Sequence, residues 1–283
     1  MALTISSSSY AGEHAGLYIN AALRQAKSLE YLTVRENVNY KEVVTKVAGS
    51  NLVKDRSCDF TENSATLTLT ESVLQVEPFQ INIDVCKSTM LSDWTYSKMD
   101  DFTAYAVSYL ADSIADSIEY SIWQGSTATS GQFDKVPTGS MSTSSASAAY
   151  TSGNIIENLQ TLAADIPSNV YMRDDLYIYM NKKTYRYYIS AISALSAFPF
   201  NHMGQYTPEF EGVKIAVVDG IADNVMFAGE KSNIFFGTSL SSDLTEVRIL
   251  DMADLDGSDN IRMVAKWTAG VQVGVASDFV YQS

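Results

Sequence analysis

Residues 100–125 read DDFTAYAVSYLADSIADSIEYSIWQG, and this stretch decides the fold. An apolar residue returns at every fourth position: Phe102, Ala106, Leu110, Ile114, Ile118 and Ile122. Because 3.6 residues complete a helical turn, that spacing drifts by about 40° per step, so the apolar band winds around the helix. Such a band suits a helix lying obliquely across a sheet, with Ile114 and Ile118 mid-band and buried. Asp100 and Asp101 place negative charge where the first backbone N–H groups lack partners, and Gly125 closes the other end. A helix of about 24 residues spans roughly 36 Å, the length of a strut.

Upstream of this helix the period changes to two. Val38, Tyr40, Glu42 and Val44 fall on one face of a strand, with Asn39, Lys41 and Val43 on the other. Residues 65–70 and 79–85 alternate as cleanly and predict strands with one wet face, Pro78 standing just before the second. Residues 49–56 are polar and read as a loop tip. Long alternating strands with a polar tip predict a projecting β-hairpin with a sheet beneath it. Residues 1–36 read as an arm, followed by a helix carrying Ala15, Ile19, Ala22, Leu23, Ala26 and Leu29.

Downstream, about half of residues 126–153 are Ser or Thr. Phe133, Val136, Met141 and Tyr150 are scattered through them, so the stretch is expected to be an extended loop that packs. Asn154 is placed to cap a short helix carrying Ile155, Ile156, Leu159, Leu162 and Ile166, which ends at Pro167. Residues 176–180 (LYIYM) predict a buried strand, and a helix from Lys182 presents Tyr185, Ile189, Ile192 and Leu195. Further strands are expected at 213–218, 225–227, 234–237, 247–250, 261–267 and 271–280. There is no internal repeat at a solenoid period.

The chain has 283 residues, enough for one large domain or two intimate ones. Hydrophobic content is 46% and charged content 18%, which excludes a disordered chain. No run approaches the roughly 20 apolar residues of a bilayer span. The start of the chain lacks a signal peptide's basic and apolar pattern, so a cytoplasmic setting is expected. Net charge is −14, from 33 acidic and 19 basic residues, which argues against a surface built to hold phosphates. It serves solubility, and it suits the lining of a container along which packaged DNA slides. Cys58 and Cys86 have no His or Cys companions at ligand spacing, so no zinc site is expected, and in a reducing compartment both read as free, buried thiols.

Motifs for catalysis and cofactor binding are missing. His14 and His202 are the two histidines, and neither sits in a nucleophile motif. Gly229-Glu230-Lys231-Ser232 is like a phosphate loop, but its spacing is wrong and it leads into a strand. Asp254, Asp256 and Asp259 cluster without calcium-loop spacing and read as a solvated turn. Tyr177, Tyr179, Tyr185, Tyr187 and Tyr188 are better read as core and intersubunit contacts than as base-stacking rings. No catalytic, cofactor-binding or metal residue is assigned.

The order of these segments resembles that of the major capsid proteins of tailed double-stranded DNA bacteriophages, which share the Hong Kong 97-type fold. The phrases GVKIAVV at 212–218, DNVMF at 223–227, NIFFGT at 233–238, GVQV at 270–273 and FVY at 279–281 carry the same resemblance. It implies an α+β subunit with an N-terminal arm over 1–36 and an extended hairpin, the E-loop, within 37–80. A peripheral domain with a spine helix would occupy 81–124, an axial domain 125–240, and strands returning to the peripheral sheet 241–283.

The resemblance also implies a structural protein, not an enzyme, with no cofactor. Its copies would form hexamers and pentamers of an icosahedral shell around double-stranded DNA, without sequence-specific binding and without a membrane. Implied partners are a portal protein, a separate scaffolding protein, and decoration or head-completion proteins. The implied location is the virion capsid, assembled in the bacterial host cytoplasm. Scaffolding is expected from a separate protein because the chain begins almost at the arm. Some members cross-link through a Lys–Asn isopeptide bond, and no residue pair here is assigned that role. An encapsulin-like compartment shell is the alternative, and a small acidic hydrolase using His202 is a remote one.

Overall fold

The computed structural model describes residues 8–11, 26–50, 53, 55–56, 58, 66–86, 99–146, 148–171, 173–194, 208–239 and 246–283. In chain order the strands of the front half are β1 (Ser8–Ala11), β2 (Thr33–Arg35), β3 (Lys41–Ser50), β4 (Thr66–Gln75) and β5 (Glu77–Cys86). The helix α1 (Met99–Gln124) follows, then β6 (Ser142–Ser144), α2 (Ile155–Ala164), β7 (Leu176–Met180) and α3 (Lys182–Ala194). The remainder is β: β8 (Glu209–Phe210), β9 (Val213–Val217), β10 (Met226–Glu230), β11 (Ile234–Gly237), β12 (Glu246–Asp251), β13 (Asn260–Val273) and β14 (Val280–Gln282). The mixture is α+β, as the sequence predicts.

Among the described residues these strands form two six-stranded sheets and one hairpin. The first sheet runs β1-β12-β13-β11-β2, with β5 also paired to β13. The second runs β6-β14-β10-β7-β9-β8, and β3 pairs only with β4 among the described strands. β13 is the organising strand of the first sheet. Its residues 260–269 pair antiparallel with β5, from Asn260↔Cys86 to Ala269↔Glu77, and its last four residues pair with β11. Alternation sets the faces: Ile261, Met263, Ala265 and Trp267 turn inward, while Arg262 and Lys266 turn outward.

α1 packs on that inner face. Ile114, Ile118 and Ile122 are buried in one cluster with Ala265, Trp267 and Ala269, so the winding apolar band meets the sheet as its spacing predicts. Leu110 is buried as well, whereas the side chains of Phe102 and Ala106 lie outside the described residues. The helix's last turn reaches the second sheet, where Trp123 packs at 5.4 Å from the Tyr179 ring and 5.1 Å from Phe227. Gly125 ends the helix by close approach instead of a left-handed turn. Its N–H bonds to Ser121 O at 3.1 Å, and a Cβ there would press on the carbonyl oxygens of Phe133 and Ser121.

The second sheet is covered on both faces. One face meets α1. The other places Ile178, Met180, Ile215, Met226 and Val280 against Leu159 and Leu162 of α2 and Tyr188 and Ala191 of α3. The Ser/Thr-rich stretch packs as expected, with Phe133, Val136, Met141 and Tyr150 all buried. Tyr150 also donates its hydroxyl to Gln282 Oε1 at 3.0 Å.

Several expectations are corrected. The strands expected at 261–267 and 271–280 are one continuous strand through Val273, and a turn then breaks the second segment before β14. Gly270 allows the join, because a Cβ there would strike Gln75 O where β4 gives way to β5. β14 then pairs with β10 and β6 in the second sheet instead of returning to the first. The polar residues Gly49 and Ser50 belong to β3, paired with Leu67 and Thr66.

Helix ends and the arm also differ from expectation. Asn154 stands at the N-cap of α2 but turns its Oδ1 back to accept from Thr151 N at 2.7 Å. On α3 the buried stripe is Thr184, Tyr188 and Ala191, flanked by partly buried Tyr185, Ile189 and Ile192. Leu195 lies outside the described residues. Most of the arm helix expected before Leu29 does so too, and residues Lys27–Tyr31 form a short 3-10 turn.

Candidate functional site

The hairpin β3–β4 is where the fold leaves apolar surface uncovered. The register pairs Val43 with Val73, Val47 with Leu69 and Gly49 with Leu67, and in a pleated pair these residues share one face. That face is open: Val43 is 52% exposed, Val47 64%, Leu67 67% and Leu69 59%. Burying a side chain of this kind is worth about 1.5–3 kcal/mol, so four of them exposed together mark a contact surface.

The opposite face is fastened at its base. Leu74 is buried with Val38, Val76 and Phe235, and Val44 packs beside them. Ser72 Oγ donates to Val273 O at 2.7 Å, and Gln272 Nε2 donates to Val73 O at 3.1 Å. Lys46 Nζ bonds the Asp278 carboxylate at 3.1 Å, tying the strand to the turn before β14. The base is thereby held, while Val53 beyond β3 is 94% exposed.

Beside the hairpin's root lie two shallow cavities. One, of about 300 Å³, runs between Phe79 and Ile81 of β5, Ser113 and Ser117 of α1, and Trp267. The other, of about 270 Å³, lies between Val73, Glu77, Phe133, Lys135 and Gln272. Phe79 stacks at 5.9 Å on Trp267, so the first cavity has an aromatic floor and a serine wall. Along the outer side of the same sheet, Arg262 grips Asp84 through two bonds of 2.7 and 2.9 Å, holding the Asp84 carboxyl below its usual range.

Among the described residues, those with candidate chemistry do not converge. His14 and His202 lie outside the described residues. In the Gly229–Ser232 piece, Lys231 N donates to Asp175 O at 2.8 Å, a loop contact within the fold. The Asp-rich loop holds turns: Asp251 Oδ1 accepts from Ala253 N, and Asp256 Oδ1 accepts from Ser258 N at 2.9 Å. Tyr179 is fully buried and donates its hydroxyl to Tyr31 O at 3.0 Å, while Tyr188 bonds Glu209 O at 2.9 Å. Burial raises the Tyr179 hydroxyl's pKa well above its usual value. These tyrosines are core groups.

Cys58 and Cys86 are not buried. No disulfide joins them, and both are exposed: Cys58 in the hairpin's far loop, Cys86 at an outward position of β5. Parity explains the second, since Gln80, Asn82, Asp84 and Cys86 occupy the wet face of that strand.

The apolar hairpin face was partly legible in the alternation, but which face would be covered was not. On α1, Asp112 and Asp116 stand exposed beside Tyr109 and Tyr120, giving the helix an acidic outer side. No helix among the described residues is long and apolar enough to cross a membrane.

No family model and no curated protein matches the chain. Solved structures do. The capsid of an empty GTA particle superposes with a TM-score of 0.60 at 12% identity, over 91% of this chain and 89% of that one. The capsid of Myoviridae phage XM1 gives 0.59 at 13% identity, over 100% and 95%. A virus-like particle from Pyrococcus furiosus gives 0.55 at 10%, over 96% and 99%. At such identities the likeness is one of architecture, and the architecture is that of the Hong Kong 97-type capsid subunit.

Proposed function

We propose that this chain is the major capsid subunit of a tailed double-stranded DNA bacteriophage, self-assembling into hexamers and pentamers of a closed shell. The observation that carries the reading is the uncovered apolar face of β3–β4 on an arm whose base is rigidly anchored. Contiguous exposed apolar surface of that kind marks an interaction site, and the simplest partner for a shell is another copy. The described hairpin corresponds to the E-loop, and β5 with α1 and the first sheet to the peripheral domain. The second sheet with α2 and α3 corresponds to the axial domain. The cavity over Phe79 and Trp267 offers a neighbour an apolar seat next to the hairpin's root.

The acidic outer side of α1 and the net charge of −14 support a lining that does not hold DNA tightly. On this reading the subunit acts structurally, in the virion, after assembly in the host cytoplasm with separate portal and scaffolding proteins. The likeness to the Pyrococcus furiosus particle keeps a second reading, an encapsulin-like compartment.

Purified particles from infected cells or from a co-expressed gene cluster separate the two. Nuclease-protected double-stranded DNA at genome length supports the phage reading. A stoichiometric enzyme inside a DNA-free particle supports the compartment.

A further inference from the structure

Three segments meet on one buried carboxylate in the last third of α1. Glu119 is 8% exposed. Its Oε2 accepts from Ser28 N at 2.9 Å, and its Oε1 accepts from Ser28 Oγ at 2.7 Å. The same Oε1 accepts from Asp219 N at 3.1 Å and Gly220 N at 3.2 Å, in the turn that follows β9. Ser28 is fully buried, and its Oγ also accepts from Trp123 Nε1 at 2.7 Å. Gly220 lies so close to the helix that a Cβ would strike the Glu119 carbonyl, and Gln124 Nε2 donates to Gly220 O at 2.7 Å.

Around this centre the same segments are tied a second time. The Asp219 carboxylate pairs with Lys182 at 2.7 Å and with Lys27 at 3.5 Å. Residues 26–32 sit as a wedge between α1 and the second sheet, with Ala26 and Leu32 in the core and the Tyr31 ring packed, tilted, at 5.4 Å from Tyr177.

We propose that Glu119 is a conformational latch that couples the seating of residues 26–32 to the seating of the 219–220 turn. The first of these segments leads out of the chain's N-terminal part, and the second belongs to the second sheet. A buried carboxylate with four donors is stable only while all are in place. Withdrawing either segment leaves charge and donors unpaired in a dry site, which costs far more than one exposed hydrogen bond. The two segments therefore release together, and the position of the N-terminal part is felt in the second sheet. The latch is a property of the single subunit; its use in a shell, reporting to one sheet whether the arm is engaged, rests on the capsid reading.

Hydrogen exchange on the full-length soluble subunit tests the latch independently of assembly. Ser28→Ala removes contacts only from the 26–32 side, and Gln124→Ala, which loses the bond to Gly220 O, only from the 219–220 side. The latch predicts that each variant raises exchange in both peptides, by about five- to tenfold, while β10 and β13 keep their protection. Glu119→Gln, which turns an amide donor toward backbone donors, is expected to do the same more strongly. Should Glu119→Gln fail to fold, the two milder variants still decide. A rise confined to the mutated segment in either of them overturns the proposal.

Discussion

Val47 and Leu69 lie directly opposite each other across β3 and β4, and both are more than half exposed. Cross-strand apolar pairs normally stabilise a sheet by lying against a core. This pair faces away from its own core, while Leu74 on the other face of β4 is fully buried. A charge at either position therefore leaves the fold intact and spoils what the face contacts. Val47→Asp or Leu69→Asp should change unfolding free energy by no more than about 0.5 kcal/mol. Each should shift the protein from large particles to small oligomers in sedimentation. Normal particles from both variants would show that the face is not a contact.

The far loop contributes reach, not stability. β3 ends at Ser50 and β4 begins at Thr66, so replacing residues 51–65 with an Asn-Gly turn keeps every pair of the hairpin. The shortened subunit should remain folded by circular dichroism and assemble poorly by electron microscopy. Unfolding of the variant would place that loop in the core.

Ile114 is 2% exposed against the first sheet. Ile114→Asp forces a carboxylate into that packing and should cost several kcal/mol, giving insoluble or unassembled subunits. Asp112→Ala and Asp116→Ala, on the exposed side of the same helix, should stay within about 0.5 kcal/mol of wild type in denaturant titration.

Glu230 gives a pH signature. Its side chain is 7% exposed beside Arg173, 2.7 Å away, yet burial outweighs the arginine and raises its pKa above 4.5. A carboxyl with a raised folded-state pKa favours the protonated fold. Its contribution is complete below the ordinary value and is lost as pH rises through the raised one. Relative to Glu230→Gln, the wild-type protein should therefore gain stability as pH falls from 7 toward 4.5. Urea titrations of both proteins at several pH values read this difference, and a wild-type stability that stays constant or falls relative to Glu230→Gln as pH drops over that range would contradict it.

How much of this was readable from the residues alone depended on periodicity. α1 and β11 stand where their patterns put them, because α1 carries a periodic apolar band and β11 is a short apolar run buried on both faces. β13 was divided in two because Thr268-Ala269-Gly270 carries no strand signal of its own. Gly270 lets the β4–β5 junction pass over the strand. Glu119 carries no signal in the sequence, since its donors come from positions about 90 and 100 residues away in the chain. Residue type puts Cys86 inside, and strand parity puts it outside. The apolar hairpin face could be drawn from the alternation, but only the body packed on Leu74 shows which side is left open.

The central claim is that copies of this chain close into a shell. Electron cryomicroscopy of the purified protein, concentrated with and without a candidate scaffolding partner, tests it most directly. The account predicts closed particles with five-fold vertices, in which β3–β4 of one subunit lies across a neighbour. A protein that remains a monodisperse, compact monomer at every concentration and ionic strength, with or without the partner, would contradict it.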